Sequence, residues 1–124
     1  MNPLIRETIA NVMYIPRKMK THQNVSLNSL VENSGFLDLH EDVAEQGMRE
    51  FIAQHPETIE EWECFSQDQC GSPAWFFARE KDGTFQLGWF SDTIGMSQLE
   101  SYKSGAEACS KFVIRTLKKI RPQH

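Results

Sequence analysis

A chain of 124 residues with 40% apolar and 24% charged side chains has the size and composition of one globular domain, able to bury a core without staples. No apolar run approaches the roughly 18 residues that span a bilayer, and the stretch 1–16, interrupted by Arg6, Glu7 and Asn11, does not read as a secretory leader. The net charge of −4 is mild, and three cysteines without an export signal read as reduced thiols of a cytosolic protein.

Asn2 is placed to cap a first helix with Pro3 in its first turn. Ile5, Ile9, Val12 and Met13 share one face of that helix, and Pro16 is expected to end it. Residues 17–24 then read as a polar, basic connector, so residues 1–23 are expected at the periphery of the single domain. "VSLNSLVENSG" predicts a short helix carrying Leu27, Leu30 and Val31, stopped by Gly35. A longer helix is predicted from about Glu41 to Gln54, with Ala44, Met48, Phe51 and Ile52 as its apolar stripe. Pro56 breaks it and opens another, "PETIEEWECFSQDQ". There Ile59, Trp62 and Phe65 fall within one arc, and Glu57, Glu60, Glu61 and Glu63 on the opposite side.

After residue 72 the pattern changes. "AWFFARE" and "TFQLGWF" flank "KDG", a strong hairpin signal. A three-residue loop with Gly83 left-handed gathers Trp75, Phe77, Leu87 and Trp89 on one face, and one buried face fixes register. "SQLESYKS" can supply a short third strand. Ser104 and Glu107 have the spacing of a capping box. It opens a closing helix whose apolar face is Cys109, Phe112, Val113, Leu117 and Ile120. The order predicts an α+β fold: a helical amino-terminal half, a small antiparallel sheet built on the hairpin, and a closing helix packed on it.

Charge is segregated. From Glu32 to Asp68, eleven acids face one arginine, Arg49, for a segment charge of −10. The closing helix reverses this with Lys111, Arg115, Lys118, Lys119 and Arg121. Like charges three and four apart, as at Glu57, Glu60, Glu61 and Glu63, each cost an isolated helix roughly 0.2–0.5 kcal/mol. The basic helix lying alongside could meet that cost. A self-repelling acidic surface would instead capture a basic partner quickly. The candidate partner-binding residues are therefore Glu57, Glu60, Glu61, Glu63 and Asp68, extended by Glu41, Glu45 and Glu50.

Catalytic readings are weaker. Cys109 falls on an apolar helix face, and Cys64 sits among glutamates that would raise its pKa. Cys70, in a loop before Gly71, is the one plausible nucleophile, with no base tied to it. His55 reads as a helix-boundary residue, and His22 has no evident partner. Neither a zinc spacing nor a calcium loop is present. Trp75 and Trp89 could stack bases, but such platforms carry basic neighbours, and here only Arg79 and Lys81 are near. No metal, cofactor or catalytic residue is therefore predicted.

"PETIEEWECFSQDQCGSPAWFFAREKDGTFQLGWF", followed by "YKSGAEACSKFVIRTLKKI", resembles small bacterial immunity proteins of polymorphic-toxin and contact-dependent growth inhibition systems. The features that carry the resemblance are the P-E-x-I-x-x-W helix leading to Ser66 and Asp68, the tryptophan strand, the Asp-Gly turn, the "GWF" strand, and Ala108-Cys109. It covers roughly Ser26 to Ile120 and not residues 1–23. The resemblance implies a protein that is not an enzyme and that binds a cognate toxin domain, with no direct contact to nucleic acid or membrane; the cytoplasm is the expected location, and the oligomeric state is left open, with a monomer assumed. Many such toxins are nucleases, so the acidic face would stand in for phosphates. The alternatives are a nucleic-acid mimic aimed at another partner, a nucleic-acid binder using Arg17, Lys18, Lys20 and the basic helix, and an enzyme built on Cys70.

Overall fold

Asn2 does cap the first helix: its side chain accepts a hydrogen bond from the Leu4 amide at 2.8 Å. The computed structural model describes residues 2–21, 26–68 and 74–119, apart from the side chains of Asn28, Asp68 and Lys119. Helix α1 spans Pro3–Met13 and ends at Tyr14, before the proline expected to stop it. Pro16 instead sits near the start of a second helix, α2, Ile15–Thr21, where a missing N–H is tolerated. The basic connector is thus helical as far as Thr21. The helix before it is not peripheral. Val12, Met13 and Ile15 are fully buried and Ile9 nearly so, because the apolar stripe of α1 continues into α2 and faces the core.

Helix α3, Leu27–Ser34, is capped by the Ser26 hydroxyl and stopped by Gly35 at φ +87°. That conformation is costly for a side chain, and a Cβ there would come within 3.1 Å of Thr8 Oγ1. A 3-10 turn, Phe36–Asp38, leads to α4, Glu41–Gln54. Helix α5, Glu57–Asp68, follows after Pro56.

The sheet is antiparallel in the order β1-β2-β3, with β1 Ala74–Arg79, β2 Phe85–Ser91 and β3 Gly95–Tyr102. Trp75 pairs with Trp89, Phe77 with Leu87 and Arg79 with Phe85, the register that a three-residue loop dictates. Gly83 takes φ +89° as that loop requires, and the Glu80 amide donates to the Thr84 carbonyl at 2.8 Å. The third strand has the expected length but begins two residues earlier than "SQLESYKS", because residues 92–94 form a second turn closed by Gly95 at φ +82°. Between Leu87 and Trp89 the register with β3 shifts, so Gln98 and Leu99 together stand opposite Gly88. Gln98 takes φ +54° at this bulge.

The two faces of the sheet differ. Phe77, Phe85 and Leu87 point into the core, where Phe77 stacks on Phe85 and Phe112 at 5.6 Å each. Helix α6, Gly105–Lys119, crosses this inner face. It packs on all three strands and on α4 and α5, and buries Ala108, Cys109, Phe112, Val113, Ile114 and Leu117. Its start is tight, since a Cβ on Gly105 would lie 2.9 Å from Ile59 Cδ1 and Phe85 Cζ. The Ser104 hydroxyl accepts from the Glu107 amide as a capping box predicts. On the opposite face Phe90, Met96 and Leu99 remain exposed.

Candidate protein-binding face

Helical geometry decides where the carboxylates of α5 go. Trp62 is fully buried against Phe65 and Phe112 and defines the inward direction. Its two sequence neighbours then lie about 100° to either side, on the flanks of the helix. Glu60 and Glu57 lie further round and are exposed. The sequence places all four glutamates on one outward side. The structure keeps Glu57 and Glu60 there, but draws Glu61 and Glu63 in until their side chains are only 23% and 18% exposed.

Each drawn-in carboxylate meets an arginine from a different element. On one flank Arg17 of α2 donates through Nε to Glu61 and lies 3.6 Å from Glu57. On the other flank Arg79 of β1 approaches Glu63 Oε1 at 3.2 Å. Both guanidinium groups also lie over rings, Arg17 above Tyr14 at 4.8 Å and Arg79 above Phe85 at 5.0 Å. The Glu63 contact is a charge pair rather than a directed hydrogen bond, for Oε1 is buried without a hydrogen-bond partner among the described residues. Burial, with a smaller push from the Glu63 charge, drives the Cys109 thiol far above its ordinary pKa, so it is a protonated core residue.

The acids of α4 face another seam. Helices α4 and α6 run antiparallel and are laced along their length. Lys118 pairs with Glu41, Lys111 with Glu45 at 3.2 Å, and Glu107 with Arg49 at 2.7 Å. Arg49 also reaches Glu45 at 3.0 Å. The hydrogen bond from Lys118 holds the Glu41 carboxyl below its ordinary pKa. The closing helix is therefore not a free basic surface: Lys111, Arg115 and Lys118 are engaged, Arg115 with Glu100 at 2.9 Å and over the Trp75 ring at 5.0 Å. Of the candidate acids, Glu50 and Glu60 have no ion-pair partner among the described residues. Glu50 borders a cleft of about 280 Å³ between α1 and α4, with Arg6 and His55.

The eight predicted residues are thus not gathered into one uncompensated surface. Glu57, Glu60 and Glu50 are exposed, Glu61 and Glu63 are flank residues with arginine partners, and Glu41 and Glu45 belong to the α4–α6 seam. The Asp68 side chain, Cys70 and His22 lie outside the described residues. Cys64 is exposed on α5. His55 stacks on Phe51 and lies 3.7 Å from Glu57, as suits a helix boundary. Ser66 acquires a part: its hydroxyl accepts from the Phe77 amide at 2.9 Å and covers the outer edge of β1.

Sequence reasoning missed two features. Arg17 and Arg79 are tertiary partners, 44 and 16 positions from their glutamates, and no local spacing signals them. The apolar outer face of the sheet was hidden because the bulge breaks the alternation of Met96 and Leu99. Among the described residues no group of three or more His, Cys, Asp or Glu could hold a metal, and no helix is long and apolar enough to cross a membrane. Comparison with protein-family models, curated proteins and solved structures returned no match.

Proposed function

We propose that this chain is an immunity protein, which neutralises a cognate bacterial toxin domain in the cytoplasm by binding it one to one and covering its active site. The mechanism is occlusion, without turnover and without a cofactor. The observation that carries this reading is the acidic outer side of α5, with Glu57 and Glu60 exposed and Arg17 in reach of Glu57. Arg17 is 45% exposed and Glu57 52%. An ion pair that open to water contributes little, so a partner's arginine or lysine can replace it at little cost. A nuclease, whose cleft is built to bind phosphates, is the toxin class that such a face suits. The sequence resemblance points the same way.

The test is charge reversal at the two exposed glutamates of α5. Glu57→Lys/Glu60→Lys is expected to slow association with the toxin at low salt about tenfold or more and to flatten its salt dependence, with only a small fall in melting temperature from the lost contact to Arg17. The toxin itself is sought by pull-down of tagged protein from its native strain. An unchanged association rate would remove α5 from the interface. Recovery of nucleic acid instead of a toxin fragment would overturn the reading.

A further inference from the structure

We propose that the outer face of the sheet is a self-association surface, on which a second copy of this chain docks sheet to sheet. This goes beyond the toxin-binding reading and does not depend on it.

Phe90 is 40%, Leu99 51% and Met96 62% exposed on this face, and Ile94 projects from the adjoining turn at 75%. Such apolar side chains, contiguous rather than scattered, mark an interaction site. The centre is already packed. Gly88 lies beneath Phe76 and Leu99, and a Cβ on it would fall 2.7 Å from both. No outward strand position carries a charge: the pairings put Phe76, Ala78, Gln86, Phe90, Met96 and Leu99 there, with only small residues between.

Three observations choose a second copy as the occupant. First, a face whose strand positions carry no charge, with Glu80, Lys81 and Asp82 only at its hairpin rim, meets its own copy with little like-charge repulsion, whereas the helical side, rich in glutamate, would repel one. Sheet-to-sheet docking puts the acidic helices at opposite ends of the pair. Second, edge-to-edge pairing is blunted at both ends of the sheet, by Ser66 on the Phe77 amide at β1 and by the Gln98 bulge in β3. Third, the area suits a weak dimer. Strands of six to eight residues make a face of roughly 15 by 25 Å, given about 3.3 Å per residue and 4.8 Å between strands. Two such faces would bury roughly 750 Å², below a standard-size interface, so the dimer is a weak and reversible one.

The experiment is sedimentation equilibrium on the full chain from about 1 to 300 μM, a span that brackets micromolar affinity. The wild type is expected to rise from 14.3 kDa toward twice that mass. Met96→Lys should raise the dimer dissociation constant at least tenfold while the circular dichroism spectrum and melting temperature stay unchanged. Leu99→Glu is the second variant, should the first fail to fold. Glu60→Lys, on the helical side, should leave the mass distribution as it was. A wild type that stays at 14.3 kDa throughout overturns the proposal. So does a dimer that survives both sheet variants, or one lost in Glu60→Lys alone.

Discussion

Helices α4 and α5 follow one another in the chain and are both acidic, yet the fold treats them differently. The acids of α4 next to α6 enter a ladder of partly exposed ion pairs with that helix. Those of α5 are split by Trp62: two turn inward to arginines on α2 and β1, and two face water. The charge of a segment is therefore not the charge of a face. A run totalling −10 yields no single acidic face, because tertiary partners take up Glu41, Glu45, Glu61 and Glu63.

The sharpest way to break this comparison is to remove the residue that orients α5. Trp62→Ala should cost about 3–5 kcal/mol, the usual range for truncating a large buried aromatic, read as a shift in the urea midpoint. Next come the partners. Arg79→Met leaves Glu63 four-fifths buried and unpaired, and should cost about 1–3 kcal/mol. Glu63→Gln in the same chain should recover part of that loss. Lys118→Met breaks a pair whose side chains are 45% and 53% exposed, and should cost under 1 kcal/mol. If the two losses are equal, the α5 flanks and the α4–α6 seam are not energetically distinct.

The smallest effects are in pH. Glu41 and Glu100 both lie below the ordinary 4.5, held by hydrogen bonds from Lys118 and from Tyr102 respectively, the latter joined by Arg115. Each favours the fold while ionised. Their contribution is fully present above pH 4.5 and is lost as pH falls through the lower folded values. Burial and the hydrogen bond to Glu100 push Tyr102 up to about 12 from 10. Its contribution is intact below pH 10 and is lost as pH rises through about 12. Thermal melts of Tyr102→Phe should lose the alkaline limb, and those of Glu41→Gln should soften the acid one.

What could be read from the residues followed range. The hairpin register was legible because four aromatic and aliphatic residues can share a face in only one loop length. The end of α3 was marked by Gly35, and the break between α4 and α5 by Pro56. Pro16 misled because a proline ends one helix and starts the next with equal ease. The candidate site was legible only in part. Glu57 and Glu60 follow from helical period alone, whereas the fates of Glu61, Glu63, Glu41 and Glu45 depend on residues 16 to 77 positions away.

The central place of α6 also has a consequence in time. Every strand, and both α4 and α5, precedes in the chain the helix on which it packs. As the ribosome elongates the polypeptide, the inner face of the sheet and the Trp62 side of α5 emerge with nothing to cover them. They stay bare until residues 105–119 have been made and have cleared the exit tunnel. Folding is thus a late, collective event, and the interval before it is when this protein is most in need of a chaperone.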